Sequence, residues 1–322
     1  MHTQKLFCWL LTLVLILAAV AGCKAPEPTP EPTALELVPQ GANLIAEIQV
    51  SRIVDDQDLR DAYTKADKEP GQPQTVEEAL DELVEETGID LRDFSRAVIF
   101  ADITAMEQAD YLGCIFEGIF DEKQFIDNME EEAGEEFTTS DYKGYKLYID
   151  KEDEFGIAFL SDEMLLLGTT KAVKDAIDVS KGERQQVSGI LLETYNRLGD
   201  ALIKFACEFP EEAWETIEES VPGDIPISLE VFANIDIIGF ALNKEAETIT
   251  VRITPHFLST DSAQDARDTL SGAIMLSRAT LEAPEIKELL RKVKVTLNDS
   301  WVTIALEITL SELEQLTETF RQ

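Results

Sequence analysis

The chain reads as an α+β protein of two tandem related subdomains, each a mainly antiparallel sheet with helices packed on one face. Three observations predict this. Apolar, strand-like runs such as "FSRAVIFADI" and "YLGCIFEGIF" alternate with stretches whose apolar residues recur at helical spacing. Strands follow one another through short polar turns, as in "FLSDEMLLLG", which suits antiparallel neighbours. The same succession of segments occurs twice along the chain. Hydrophobic residues make up 44% of the sequence, enough apolar content for a real core.

Taken in order, "ANLIAEIQV" from Ala42 matches "ALIKFACEF" from Ala201 as the opening strand of each half. "FSRAVIFADI" from Phe94 sits over "FANIDIIGFA" from Phe232, and "YLGCIFEGIF" from Tyr111 over "ITVRITPHFL" from Ile249. "FLSDEMLLLGTTKAVKDAI" from Phe159 matches "TLNDSWVTIALEITLSELEQL" from Thr296, each a strand, an Asp-containing turn, a strand, then Thr leading into a helix. The helices have readable ends. Thr75 with Glu78 forms a capping-box pattern ahead of the apolar stripe Val76, Ala79, Leu80, Leu83 and Val84, and Gly88 is the expected stop. Asp121 opens the next helix, with Phe125, Ile126 and Met129 inward and Gly134 closing it, and Thr170 starts a third, buried through Ala172, Val173, Ala176 and Ile177. In the second half Asp261 or Ser262 is the expected cap of a long helix bearing Ala266, Leu270, Ala273 and Ile274. Pro284 divides the region that follows, and Ser311 with Glu314 caps the last helix.

The halves differ where the first has "FTTSDYKGYKLYID", a hairpin turning at Lys143-Gly144, and the second has helix around "APEIKELLRK". The subdomains are expected at residues 40–180 and 181–322, with their junction near "SKGERQQVSG".

The first 22 residues have the parts of a secretory signal: Lys5, an apolar run from Leu6 to about Val20, then small residues before Cys23. The apolar run is shorter than the roughly 20 residues a bilayer-spanning helix needs. At Val20-Ala21-Gly22-Cys23 the sequence resembles the lipobox of bacterial lipoproteins. That resemblance implies diacylation of Cys23, cleavage before it, and a membrane anchor in its lipid chains, each buried methylene adding roughly 0.8 kcal/mol of affinity. Ordinary cleavage, or an uncut anchor, is the alternative. Residues 23–39 then form the lipidated Cys and a Pro/Glu-rich tether, "KAPEPTPEPTALELVP", whose prolines favour an extended spacer. Lys24 after the cysteine departs from the Asp of inner-membrane retention in two-membrane bacteria. The body also resembles uncharacterised secreted bacterial domains that open with a "VPxxA" strand, here Val38-Pro39-Gln40-Gly41-Ala42, a likeness that implies no activity.

Charge narrows the partners. With 64 acidic against 27 basic residues the net charge is −37, which opposes nucleic acid and anionic lipid surfaces. The location expected is extracytoplasmic, on the membrane through Cys23, with an envelope protein or polymer as the partner. Outside the signal and Cys23, two cysteines remain, Cys114 and Cys207, either buried free thiols or one disulfide. His256 is the one histidine beyond His2, so multi-histidine metal sites are excluded and a Ser-His-Asp arrangement is improbable.

The remaining motifs are weak. Asp150, Glu152 and Glu154 alternate ahead of Gly156 as in calcium loops, but Gly156 stands seventh rather than sixth and Ser161 occupies the twelfth position, so a solvated turn is the better reading. "EEEAGEE" reads as the polar end of a helix. Tyr142, Tyr145 and Tyr148 share a hairpin, and the odd separation of Tyr145 and Tyr148 sends them to opposite faces, one of them into the core. Phosphate-loop, nucleophile-elbow and zinc-helix motifs are absent from the sequence. A non-catalytic envelope protein without cofactor, metal or catalytic residues is therefore expected, with a hydrophobic-ligand (lipid) carrier as the alternative. Small residues on the inward helix faces favour a filled core over a lipid cavity.

Overall fold

The computed structural model describes residues 32–66, 71–87, 89–103, 111–208, 229–281 and 283–313. Helices and antiparallel strands are both abundant, and the α+β class holds. The chain divides into two compact units, Met1–Val187 and Ser188–Gln322.

Unit 1 begins with a 3₁₀ turn, Ala34–Leu37, behind Thr33, whose backbone amide donates to Glu36 Oε2 at 2.8 Å. Then come β1 (Leu44–Ile48), α1 (Val50–Val54), α2 (Gln57–Lys65), α3 (Val76–Thr87), β2 (Phe94–Ala101), β3 (Leu112–Gly118) and α4 (Glu122–Ala133). The hairpin β4 (Thr138–Tyr142) and β5 (Tyr145–Ile149) follows, then β6 (Phe155–Ser161), β7 (Met164–Thr169) and α5 (Thr170–Ser180). Its strands lie in the order β1-β2-β3-β7-β6-β5-β4, with every pair antiparallel.

The centre of this sheet is β3 beside β7. Leu165, Leu166 and Leu167 are consecutive and all at most 2% exposed, so side chains on both faces of β7 are covered. Cys114, Ile115 and Phe116 of β3 are likewise buried. Burying a leucine contributes about 1.5–3 kcal/mol, so these two strands are a substantial part of the unit's core. Strands buried on both faces read as continuous apolar runs rather than alternation, and "MLLLG" and "LGCIF" are such runs.

Unit 2 contains α6 (Ile190–Arg197), β8 (Ile203–Glu208), β9 (Ile235–Glu245), β10 (Thr248–Phe257), α7 (Thr260–Thr280), α8 (Pro284–Lys292), β11 (Lys294–Asn298) and β12 (Trp301–Thr309). Its strands run in the order β8-β9-β10-β12-β11, again antiparallel. Phe257, Ala263, Ala266 and Val302 form a fully buried cluster joining α7 to the sheet.

The expectation of helices on one face fails in both units. In unit 1, Thr170 of α5 lies 3.3 Å from where a Gly156 β-carbon would stand, whereas Phe125 of α4 packs edge-on against Phe159. Those two β6 positions are an odd number of residues apart, so the helices cover opposite faces. In unit 2, Thr194 of α6 approaches Gly239, which shares a face with Thr254 and Thr303, while α7 covers Val302 on the other side. The physical reason in unit 1 is that consecutive residues of β3 and β7 are apolar, so both faces need cover; in unit 2 the α6 face is closed instead by Trp301 bonded to Thr194.

Capping follows the sequence in most places. Thr75 Oγ1 accepts from the Glu78 amide at 3.1 Å and Glu78 Oε2 accepts from Thr75 at 3.3 Å. Asp121 accepts from the Gln124 amide at 2.8 Å, and Gly134 ends α4 in the left-handed region. The hairpin turns at Lys143-Gly144 with φ of 54° and 85°, values a type I′ turn requires at both central positions. Pro284 opens α8 and separates it from α7. Two caps differ from expectation. Ser259, in extended backbone, accepts from Ser262 at 3.1 Å and caps α7, leaving Asp261 within the first turn, where its charge complements the helix terminus. Thr309 and Glu312 exchange reciprocal bonds of 2.9 and 3.3 Å ahead of the helical turn at 310–313, two residues earlier than Ser311 and Glu314. Gly88 and Glu314 lie outside the described residues.

Packing at β2 and β3 has a measurable consequence. A β-carbon on Gly113 would stand 2.2 Å from the Phe100 ring, its cross-strand partner, whereas one on Gly272 in α7 meets nothing within 4 Å. Urea denaturation of Gly113→Ala is expected to show a loss of about 1–3 kcal/mol, and Gly272→Ala a gain of up to about 1 kcal/mol. Equal effects of the two would contradict this packing.

Candidate functional site

The expected lipidation site, Cys23, lies outside the described residues, as does the tether up to residue 31. The end of the expected 23–39 tether, however, is built into unit 1. Ala34, Leu37 and Val38 are fully buried, so composition alone placed the end of the spacer too late: "ALELV" carries apolar side chains that the sheet accepts. The Ala34 amide donates to Glu117 Oε1 at 2.9 Å, and Glu117 is held by Arg96, whose Nε reaches Glu117 Oε2 at 2.9 Å. Arg96 Nη1 also lies 3.7 Å from the buried Glu47 carboxylate, which accepts from Gln49 Nε2 at 2.8 Å. One guanidinium is thus shared by two carboxylates on the sheet and orients one of them toward the root of the tether.

Further along, Val38 O accepts from the Val187 amide and Gln185 O accepts from the Gln40 amide, each at 2.8 Å. Arg184 Nη1 lies 2.7 Å from Asp175 Oδ1, and Arg184 Nη2 reaches Gln40 O at 3.4 Å. Tyr111 is buried over this group, its hydroxyl pushed to high pKa first by desolvation and then by the Asp175 charge. No sequence motif announced the cluster, because its members come from four separate segments.

Each of the three tyrosines of the hairpin makes contacts within unit 1. Tyr148 is the core member, buried, with its hydroxyl donating to Glu122 Oε1 at 2.5 Å. Burial is the first cause of its raised pKa and the Glu122 bond the second. Tyr145 lies under Lys181 Nζ, 4.0 Å from the ring centroid, and Tyr142 bonds Asp178 at 3.0 Å. Lys143 reaches Asp178 at 2.5 Å and Glu183 at 2.7 Å, and these two bonds hold its ammonium above the usual lysine range.

Asp150, from the calcium-like stretch, turns its Oδ1 back onto the amides of Glu154 and Phe155, at 2.8 and 3.0 Å. It closes its own turn. Among the described residues, no group of three or more His, Cys, Asp or Glu is placed to hold a metal ion. His256 is likewise committed: Nδ1 lies 2.6 Å from Asp236 Oδ1, and the ring packs 4.5 Å from Trp301, its cross-strand partner. Trp301 Nε1 donates to Thr194 at 3.1 Å, and the Arg197 guanidinium covers the indole at 3.7 Å. This Asp-His-Trp-Thr-Arg group joins α6 to β10 and β12. The strand pairing of "ITVRITPHFL" with the run after Trp301 was the signal that could have located it.

Two hollows are open to solvent in unit 2. One of about 460 Å³ is lined by Gly189, Leu192, Glu193, Asn196 and Arg197, and one of about 230 Å³ by Glu230, Val231, Asn234, Ser262 and Asp265. Among the described residues no helix is long and apolar enough to cross a membrane.

No family model and no curated protein matches the chain. Solved structures of TP0453 are similar in outline. Its crystal form III has 8% identity and a TM-score of 0.46, covering 91% of this chain and 100% of that one. Crystal form IV has 9% identity, the same TM-score, and coverage of 88% and 95%. A likeness at this level assigns neither fold nor activity to the present chain.

Cys114 and Cys207 are free thiols. Burial pushes Cys114 up to about 12, and burial followed by Glu208 pushes Cys207 up to about 11. Because the folded thiol values are raised, the native state holds its protons longer than the unfolded chain. Their contribution to stability is therefore complete below about pH 9 and declines as pH rises toward 11–12. Iodoacetamide at pH 8 is expected to leave Cys114 unmodified until urea unfolds the chain. Rapid native alkylation of Cys114, followed by peptide mapping, would contradict its placement in β3.

Proposed function

We propose that this chain is a lipid-anchored, extracytoplasmic, non-catalytic binding or structural protein of a bacterial envelope, held to its membrane through Cys23. The observation that carries the reading is the order Lys5, apolar run, Val20-Ala21-Gly22-Cys23, then "KAPEPTPEPT". Two features of the fold support it. The docked root at Ala34 begins close behind the cysteine and is secured by Glu117, as an attachment point under load would need. The groups with chemical potential, His256, Asp236 and Asp150, are occupied by internal structural contacts, which favours binding or scaffolding over catalysis. An envelope protein or polymer is the partner class, and the charge of −37 disfavours nucleic acid.

We further propose that the two units descend from one duplicated α+β subdomain, at about residues 40–180 and 181–322. Supporting this, β1-β2-β3-β7-β6 has the same connectivity as β8-β9-β10-β12-β11, and the sequence segments first paired by resemblance occupy those corresponding positions. The hairpin β4-β5 is then an addition to the edge of the first copy.

The second reading, a hydrophobic-ligand carrier, is favoured by one observation. Phe205, Phe240, Ile253 and Ile304 lie on a common face of the unit 2 sheet and are only half-buried. Against it stands the dense interior of unit 1, where Phe100 fills the space above Gly113.

Metabolic labelling with palmitate tests the anchor: the wild-type chain is expected to take up label and partition with membranes, and Cys23→Ala to do neither. Equal labelling of both ends the anchor proposal. Native mass spectrometry of the purified Cys23→Ala chain separates the two functional readings. The mass of the bare polypeptide is expected, while a stoichiometric co-purifying lipid would favour the carrier.

A further inference from the structure

Strand β4 ends the strand order of unit 1 and has a single neighbour, β5, among the described strands. Thr138, Thr139, Ser140 and Asp141 are consecutive and all exposed, so neither face of the strand is covered there. The hairpin fixes which backbone groups are free. Tyr142 and Tyr145 flank the two-residue turn at Lys143-Gly144, which makes them a hydrogen-bonded pair, and bonded and non-bonded pairs alternate from that point. Thr138, Ser140 and Tyr142 thus aim their amides and carbonyls at β5, while Thr139 and Asp141 aim theirs outward. The Phe137 amide, next along, already donates to Glu130 Oε1 at 2.8 Å.

A free sheet edge is a template for another strand, and proteins blunt such edges with lysine, proline or a bulge. The strand that ends the unit 2 order, β11, opens with Lys294. Strand β4, "TTSDY", contains neither Lys nor Pro, and its pairing with β5 runs without a register shift. The neighbouring Lys143 is held by Asp178 and Glu183. The free groups of β4 complement themselves. A second β4 laid antiparallel about Ser140 sets each Thr139 opposite an Asp141, in two reciprocal pairs of hydrogen bonds that use the outward groups of both residues. Like charges do not meet, because each Asp141 faces a threonine. A foreign peptide fits less well: strand addition draws its specificity from pockets for alternate side chains, and Thr138 to Asp141 stand in solvent on both faces.

We infer that β4 is a self-association edge, at which two copies of this chain pair β4 to β4 about a two-fold axis at Ser140 and continue the unit 1 sheet from one copy into the other. The contact is small and each copy carries a net charge of −37, so the pair is weak at low ionic strength and strengthens as salt screens the repulsion. It does not rest on the lipid anchor.

Disulfide trapping in the full chain reads the register. Across the axis the two Ser140 α-carbons stand about 4.5 Å apart, within reach of a disulfide, whereas those of Thr138 stand roughly 14 Å apart, beyond it. Under mild oxidation Ser140→Cys is expected to give about ten-fold more disulfide-linked dimer than Thr138→Cys or the unaltered chain, and more at high salt than at low. Adding Thr139→Pro removes an outward amide, leaves the ladder to β5 intact, and is expected to abolish the trapping with the urea midpoint unchanged. Sedimentation at high salt gives a second measurement: the unaltered chain is expected to dimerise with rising concentration, and Ser140→Lys, which sets two ammoniums against each other on an exposed site, to stay monomeric. Equal trapping at Thr138 and Ser140, no trapping at Ser140 at any salt concentration, or a Ser140→Lys chain that dimerises as the unaltered one does would each overturn the pair.

Discussion

Unit 1 depends on the close approach of β2 to β3 and of β3 to β7, made possible because Gly113 leaves its side-chain space to the ring of Phe100. From that contact the apolar side chains continue without a gap on either side: Val98, Ile115 and Leu166 on one face, Phe116 and Leu165 on the other. A sheet with two buried faces needs covering elements on both, which is why α4 and α5 sit where they do. The charged residues that such an arrangement strands near the sheet are grouped, Glu47 and Glu117 sharing the single guanidinium of Arg96. Removing Arg96 from such a group would leave two carboxylates without their shared cation, so both depend on that one side chain.

Unit 2 solves the same problem with different residues. Its joint between α6 and the sheet is polar in the middle, where Trp301, Thr194 and Arg197 interlock beside the His256–Asp236 pair. An indole gives large apolar contact and one donor, and Thr194 satisfies that donor. At the other face the join is made by small residues, Ala263 and Ala266, which let α7 approach Val302 closely. The two halves thus share an order of strands but not the chemistry of their helix contacts.

Most of the strands were legible in the sequence, because apolar runs bounded by turn residues leave few alternatives, and so were the caps at Thr75 and Asp121 and the turn at Lys143-Gly144. The side on which helices lie was misread because a long apolar run does not declare that it is buried on both faces. Ser259 was passed over for Asp261 or Ser262 because Ser and Asp both cap well and only backbone geometry chooses between them. The cluster that joins residues 38–40 to 184–187 was out of reach: Val38, Asp175, Arg184 and Val187 make no local pattern, and each is unremarkable beside its own neighbours. Cys23 lies outside the described residues, and its reading comes from the sequence alone.

Ten residues of sequence, 24–33, separate Cys23 from Ala34, the first buried residue described. A trans polypeptide reaches at most about 3.6 Å per residue, so a body anchored at Cys23 is leashed within roughly 35 Å of its lipid. That radius is comparable with the thickness of the bilayer's own hydrocarbon layer, about 30 Å. An anchored chain of this kind samples a thin shell of space beside one leaflet, and whatever it meets must come to that shell.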